Sequence, residues 1–163
     1  MHWARIGRHL LMPAWRARTT FPPALRARIE AAISAAEQTH AGQIRFAVEA
    51  SLDLPLLLKG VSARERAIDV FSMLRVWDTE HNNGVLIYLL LADHDVEIVA
   101  DRGIHARVGA PAWEQVCRNM EASFRAGDFE RGVLAGIAAV GEHLTKHFPG
   151  QARNELPDAP VLM

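Results

Sequence analysis

At the centre of the chain stands the run Gly84-Val85-Leu86-Ile87-Tyr88-Leu89-Leu90-Leu91, in which apolar and polar side chains do not alternate. Strands that are buried on both faces show continuous apolar runs of this kind. The run therefore predicts a central strand with helices on both sides. A turn at residues 92–95 and a second strand-like segment, Val96–Ala100, follow it. This succession predicts an antiparallel hairpin.

A helix and an alternating segment are expected before the hairpin. Residues 22–39 carry an apolar stripe at helical spacing, and residues 43–50 alternate between apolar and more polar side chains. They predict a helix followed by a strand with one wetter face. The sequence Ser62-Ala63-Arg64-Glu65 is a capping box, because its serine and glutamate can each bind an unpaired amide at a helix start. A second helix is expected to begin there.

Two further helices are expected after the hairpin. One starts near Pro111, and the other follows the break at Gly127-Asp128. Three glycines lower the helix propensity of the last helix and indicate close approach to a neighbouring element: Gly132, Gly136 and Gly141. Helices on both sides of a buried strand predict an α/β fold. The expected architecture is a three-layer α/β/α sandwich with a small mixed sheet that contains the central hairpin.

The charge of the chain is distributed unevenly. Residues 1–28 hold six arginines and no acidic residue, whereas the whole chain has 18 basic and 19 acidic residues. The remainder therefore carries 12 basic and 19 acidic side chains, a net charge of −7. An acidic body argues against nucleic acid as a partner. The single cysteine, Cys117, excludes an internal disulfide and a cysteine metal cluster.

The sequence divides into three parts: a basic arm over residues 1–21, the α/β domain over residues 22–148 and an irregular tail over residues 149–163. The longest apolar run, Val85–Ala92, has eight residues, and a membrane-spanning helix needs about 20. The basic start lacks the apolar core of a signal peptide. The expected location is the cytoplasm.

The basic arm has two interpretations. A short helix ending before Pro13 separates apolar from basic side chains, with Trp3, Ile6 and Leu10 against Arg5, Arg8 and His9. Such a helix can lie on an anionic membrane surface, which would place residues 1–18 against the inner face of the membrane. The alternative is an arm that packs on the acidic surface of its own domain. The sequence leaves both open.

Polar side chains cluster where the hairpin begins and ends. Residues 78–83, Asp-Thr-Glu-His-Asn-Asn, enter the first strand, and residues 101–105, Asp-Arg-Gly-Ile-His, follow the second. A turn centred on residues 93 and 94 would set Gly84 opposite Gly103 and make these segments neighbours. Carboxylate and amide oxygens suit calcium or magnesium. The cluster predicts a divalent-cation or phosphate site, and the alternative is a polar loop that caps a helix.

Four motifs, in this order, resemble the TPM domain family, which is named after thylakoid-lumen, photosystem II repair and levamisole-receptor modulator proteins. They are Gly42-Gln43-Ile44, Asn83-Gly84-Val85-Leu86-Ile87, the return strand with its turn over residues 96–104, and Phe124-Arg125-Ala126-Gly127-Asp128-Phe129 followed by Gly132. The resemblance covers residues 22–148. It is to a stand-alone cytoplasmic branch, and Asp101-Arg102-Gly103 replaces the G-Y-G-like turn of many relatives.

The resemblance implies a TPM-like α/β/α sandwich, binding of calcium-type cations, weak acid-phosphatase activity, or service to membrane complexes. Carried over to this sequence, the candidate metal ligands are Asp78, Asn82, Asn83 and Asp101. The favoured hypothesis is a binding or assembly module that serves a membrane-associated complex, with Ca²⁺ or Mg²⁺ as its expected cation. The alternative is a divalent-cation-dependent, acid-phosphatase-like hydrolase of small phosphoesters.

Overall fold

In the computed structural model, which describes residues 3–163, four strands form one sheet. They are β1 (Gln43–Glu49), β2 (Gly84–Leu90), β3 (Asp95–Ala100) and β4 (Val161–Leu162), in the order β3-β2-β1-β4. β1 runs parallel to β2 and β4, whereas β3 is antiparallel to β2. The predicted mixed sheet is confirmed; its β2–β3 hairpin lies at one side, with β3 as an edge strand.

Helices cover both faces of the sheet. They are α1 (Trp3–Leu11), α2 (Trp15–Thr20), α3 (Pro23–Ala36), α4 (Leu54–Leu58), α5 (Ala63–Met73), α6 (Arg102–Val108), α7 (Ala110–Arg125) and α8 (Phe129–His147). Side chains of α3, α7 and α8 pack with Ile87 and Ile98 in one core. Side chains of α4 and α5 pack with Leu86 and Tyr88 in the other core. The two cores make the α/β/α sandwich that the sequence predicts.

β1 differs from its prediction, because all seven of its residues are buried. On the face expected to be wetter, Arg66 of α5 donates to both carboxylate oxygens of Glu49 at 2.9 Å. The Tyr88 hydroxyl donates to Glu49 Oε2 at 2.6 Å. The Arg45 guanidinium donates to backbone carbonyls of the C-terminal tail. Alternation in β1 therefore reflects buried polar contacts and not contact with solvent.

The hairpin has a different register from the predicted one. Leu90 pairs with Asp95, so that Gly84 faces Asp101 and not Gly103. The amide of Asp101 donates to the carbonyl of Gly84 at 2.9 Å. A 3₁₀ turn at Leu91–Asp93 causes the difference, because it ends at His94 in the left-handed region, with φ 55°, and moves the centre of the turn.

Two glycines of α8 allow close helix packing, as predicted. A Cβ on Gly136 would lie 2.3 Å from Met120 Sδ, and one on Gly132 would lie 2.6 Å from the Phe124 ring. Close packing does not require glycine at residue 141, since a Cβ there would lie 3.5 Å from Ala36, an ordinary contact distance. The prediction is therefore wrong for Gly141.

The C-terminal tail is not irregular throughout. Val161–Leu162 forms β4 beside Ala47 and Val48 of β1. Gln43 Oε1 accepts hydrogen bonds from the amides of Glu155 and Leu156, both at 3.0 Å. These contacts make the tail part of the sheet and its covering layer.

The described part of the basic arm packs on the domain, and residues 1 and 2 lie outside the described residues. Ile6 and His9 of α1 are buried, and Ala17 of α2 belongs to the first core. Arg5 and His9 both contact the carboxylate of Asp93, in the turn between β2 and β3. The described part of the arm therefore packs on its own domain, as in the alternative to membrane contact.

Candidate functional site

Three predicted site residues lie at the end of the sheet where β2 begins and β3 ends. Asn83 directly precedes Gly84, whose carbonyl accepts the amide of Asp101 at 2.9 Å. The amide of Ile104, in the first turn of α6, donates to the Asn82 carbonyl at 3.3 Å. The structure therefore brings Asn82, Asn83 and Asp101 to one edge, as the sequence predicts despite the different register.

Two oxygen atoms at this edge have no hydrogen-bond partner among the described residues. Asn83 is fully buried; its Nδ2 donates to the Ala41 carbonyl at 3.1 Å, while its Oδ1 is unpaired. Asp101 accepts the Arg102 amide at 2.7 Å through Oδ1, while its buried Oδ2 is unpaired. Amide oxygens, which are neutral, and carboxylate oxygens, which are charged, are both ligands for hard cations.

Asp78 has different surroundings. Its carboxylate pairs with Arg75 Nη2 at 2.9 Å and is about half exposed. It also lines a surface cavity of about 380 Å³ together with Glu80 and residues 153–155 of the tail. Across residues 3–163, no group of three or more His, Cys, Asp or Glu side chains is placed to hold a metal ion.

A second concave site, which we call the β3 groove, runs along the outer edge of β3 and measures about 560 Å³. Its lining comes from β3 (residues 95–98), from α5 (Arg64), from α6 (His105) and from α7 (Ala110, Trp113, Glu114, Cys117, Arg118, Glu121). Side chains from α5 and α7, on the two sides of the groove, form hydrogen bonds with the backbone of β3. Glu121 accepts the Val96 amide at 3.1 Å, and Arg64 donates to the Ile98 carbonyl.

The electrostatics of the β3 groove are set by partly buried carboxylates. Burial, together with the nearby Glu97 and Glu121, raises the pKa of Asp95 to about 7. Burial also raises the pKa of Glu97, although Arg64 opposes this effect. The pKa of the Cys117 thiol is raised to about 12 by burial and the same carboxylates. The thiol is therefore protonated at neutral pH, and the Asp95 carboxyl, whose pKa lies near neutrality, is only partly ionised there.

Apart from His105, which ends the predicted polar cluster, none of the groove residues is among the candidates that the sequence predicts. Asp95 and Glu97 alternate with Val96 and Ile98, a pattern typical of any strand with one buried face. Glu121 is 25 residues from Val96, which it contacts, and no motif spacing connects them. Only the packing of α7 beside β3 brings these carboxylates together.

The arm carries a third feature, which we call the arm surface. α1 contacts the domain through Arg5, Ile6 and His9, and its other large apolar side chains are exposed: Trp3 is 70%, Leu10 64% and Leu11 84% exposed. Trp15 of α2 is also exposed. Three exposed arginines complete the arm surface: Arg8, Arg16 and Arg18.

Comparison with known proteins gives a consistent result. The TPM domain matches residues 17–143. The NMR structure of the BA42 protein from the psychrophilic bacterium Bizionia argentinensis is 31% identical, with a TM-score of 0.72, over 85% of this chain and 92% of that chain. The NMR structure of the N-terminal domain of a P. gingivalis protein is 16% identical, with a TM-score of 0.62, over 88% of this chain and 95% of that chain, and supports the fold alone. Curated proteins give no significant match. Since the domain match spans most of its length, this chain belongs to the TPM domain family.

Proposed function

We propose that this TPM-domain protein is a binding module that attaches to an anionic membrane surface and serves a membrane-associated protein complex there. The observation that carries the proposal is the orientation of α1. Its polar residues Arg5 and His9 are engaged by Asp93, and its apolar residues Leu10 and Leu11 remain exposed. In an isolated domain, this orientation leaves these apolar side chains exposed to water. A lipid interface would accommodate them.

The arm surface has the composition of an interfacial contact. Tryptophan is favoured at the level of lipid head groups, and leucine is favoured just below it. Each arginine near an anionic surface contributes about 1 kcal/mol of attraction. No helix in the described part of the chain is long and apolar enough to cross a membrane.

Vesicle sedimentation of the full chain tests this proposal. We expect binding to phosphatidylcholine vesicles that contain phosphatidylglycerol, and weaker binding as salt rises, since the screening length falls from about 10 Å at 0.1 M to about 3 Å at 1 M. The variant Leu10→Ser with Leu11→Ser should bind at least tenfold less. The matched control is Leu54→Ser with Leu58→Ser, which alters two leucines that are 45% and 54% exposed on α4. Equal binding by both variants, or none by the unmodified chain at low salt, would contradict the proposal.

A second candidate function is weak binding of calcium or magnesium at the edge that holds Asn82, Asn83 and Asp101, with Asp78 as the outlying candidate ligand. It is favoured by the unpaired Oδ1 of Asn83 and Oδ2 of Asp101, since both are buried acceptors. A cation bound to either oxygen would supply the partner that it lacks. The phosphatase alternative uses the same cation, which would polarise a phosphoryl oxygen of a small phosphoester.

A further inference from the structure

The basic arm packs against one end of the sheet. Since β1, β2 and β4 run parallel, their C-terminal residues lie together at what we call the arm end: Glu49, Leu90 and Leu162. Nδ1 of His9 accepts the amide of Leu52, which follows β1, at 2.9 Å. The Ser51 hydroxyl donates to the Met12 carbonyl at 3.1 Å, and Asp93, in the turn after β2, holds His9 from the other side. α1 therefore lies across this end of the sheet.

α2 extends the same surface to the end of β4. A cavity of about 290 Å³ lies between the two elements, and its lining is Ala14, Trp15, Ala17, Arg18, Leu162 and Met163. Among these six residues, the only charged side chain is that of Arg18. Trp15 and Arg18 also belong to the arm surface. One apolar and basic surface therefore continues from α1 across α2 to β4.

The opposite end of the sheet, where β1 and β2 begin, is acidic, and we call it the far end. Three carboxylates and one arginine line a cavity of about 380 Å³ there, with one amide: Asp78, Glu80, Arg153, Asn154 and Glu155. Gln43, the first residue of β1, accepts the Glu155 amide at 3.0 Å, and Glu155 accepts the Glu80 amide at 2.9 Å. An anionic surface would attract the basic end of the domain and repel the acidic end.

The length of the strands separates the two ends. β1 has seven residues and, at about 3.3 Å per residue, spans about 20 Å. This distance is about twice the screening length of about 10 Å at 0.1 M ionic strength. When the arm end contacts lipid, the far end therefore lies beyond most of the surface potential. The edge that holds Asn82, Asn83 and Asp101 is at the far end and would face the solution.

From these relationships we infer that the domain binds an anionic membrane end-on, with α1, α2 and the end of β4 in contact with lipid and with the strands directed away from the bilayer. The inference rests on the proposed membrane attachment and extends the lipid contact from α1 to Trp15, Arg18 and Met163. It leaves the helical faces of α5 and α7, together with the far end, accessible to a protein partner.

Fluorescence quenching by lipid tests the orientation. Each chain carries Cys117→Ser and one new cysteine with a nitrobenzoxadiazole label, and the vesicles contain phosphatidylglycerol and a lipid with a nitroxide on its head group. The four labelled positions are Met163→Cys at the arm end, Glu80→Cys at the far end, Ile68→Cys on α5 and Gln115→Cys on α7. We expect quenching at residue 163 to be at least threefold stronger than at each of the other positions.

Sedimentation of the same labelled chains distinguishes this inference from the proposed function. Chains that do not sediment with the vesicles would contradict membrane attachment itself. Chains that sediment but are quenched most strongly at residue 68 or 115 would lie on a helical face. Equal quenching at residues 80 and 163 would mean that no fixed orientation exists. Either of the last two results would overturn the end-on arrangement alone.

A matched pair of variants tests the contact made by α2. Trp15→Ser with Arg18→Gln should weaken vesicle binding severalfold, although α1 is unchanged. The control is Trp77→Ser with Arg75→Gln, which removes a tryptophan and an arginine near the far end; Trp77 is 48% exposed and Trp15 57%. Amide spectra without lipid establish that each variant is folded. An equal loss in both variants, or no loss in the α2 variant, would overturn the assignment of α2 to the lipid contact.

Discussion

Nε2 of His9 lies 2.9 Å from Oδ1 of Asp93, a contact between residues 84 positions apart. The Leu52 amide donates to Nδ1 of the same ring at 2.9 Å, so the neutral ring donates its Nε2–H to Asp93. Arg5 Nε donates to the other carboxylate oxygen at 2.9 Å. Burial opposes the charge, but the hydrogen bonds from Arg5 and His9 hold the pKa of Asp93 below its ordinary value. This carboxylate fastens α1 to the domain.

Asp93→Asn is expected to lower the free energy of unfolding at pH 7 by about 1–3 kcal/mol, because it removes a charged acceptor from largely buried donors. The stabilisation is present above the ordinary pKa of 3.8 and is lost as pH falls through the lower pKa of the folded state. Urea unfolding at several pH values checks both points. Asp53→Asn, at an exposed site without a side-chain capping bond, should change stability little. A difference that persists unchanged in strong acid would contradict the prediction.

Glu37→Gln should have the opposite pH dependence. Burial raises the pKa of Glu37 from 4.5 to about 8, and Asp158 adds to the effect. The folded state therefore binds the proton more tightly, and the contribution of Glu37 to stability decreases as pH rises from 4.5 to about 8. Glutamine keeps an acceptor for the Ile44 amide, which lies 2.8 Å from Oε1, and carries no charge.

The variant should gain stability relative to the unmodified chain between pH 5 and pH 9, measured by thermal unfolding across that range. Glu30→Gln changes an exposed carboxylate on α3, the helix that ends just before Glu37, and provides the control. Parallel pH profiles for the unmodified chain and Glu37→Gln would show that Glu37 is ionised at neutral pH, contrary to the prediction.

Leu89→Ala should destabilise the protein by roughly 2–5 kcal/mol, because Leu89 is 1% exposed in the central strand and its loss leaves a cavity. Chemical unfolding measures the change. Leu54→Ala, at a leucine that is 45% exposed, should cost much less. A loss below about 0.5 kcal/mol for Leu89→Ala, the range of ordinary surface substitutions, would be incompatible with a core position.

Calcium in excess should raise the melting temperature if the cation candidate is correct, because a ligand that binds only the folded state stabilises it. Asp78→Asn with Asp101→Asn should abolish the increase, and asparagine at residue 101 can still cap α6. Any turnover of p-nitrophenyl phosphate should disappear with the same variant and with a chelator. A melting temperature that does not respond to calcium would remove the cation candidate, and turnover that survives both treatments would contradict the phosphatase alternative.

Local interactions made much of the fold predictable. The capping box is present as expected: the Glu65 amide donates to Ser62 Oγ at 3.1 Å, and Glu65 accepts the Ser62 amide at 2.8 Å. The run that forms β2 is buried throughout, and β3 returns beside it. These features depend on residues a few positions apart, so their physical causes are contained within short segments.

The proximity of Asn82 and Asn83 to Asp101, at the end of the sheet where β2 begins, could be predicted for a related reason. A hairpin necessarily brings the residues before its first strand close to those after its second, whatever the register. The register itself could not be predicted, because the left-handed conformation of His94 decides where the turn is centred. Position in the sequence groups Asp78 with Asp101, whereas the pairing of Asp78 with Arg75 depends on the local chain path.

What the sequence by itself determined was the three longer strands, the four longest helices, their layering and the family, because hydrophobic periodicity and capping act over short distances. Only the tertiary structure decided the β3 groove, the burial of Glu49 under Arg66 and the attachment of α1 by Asp93. Each of these joins side chains from separate elements. Their energies depend on distance and burial in three dimensions, and neither quantity is encoded in the spacing of residues along the chain.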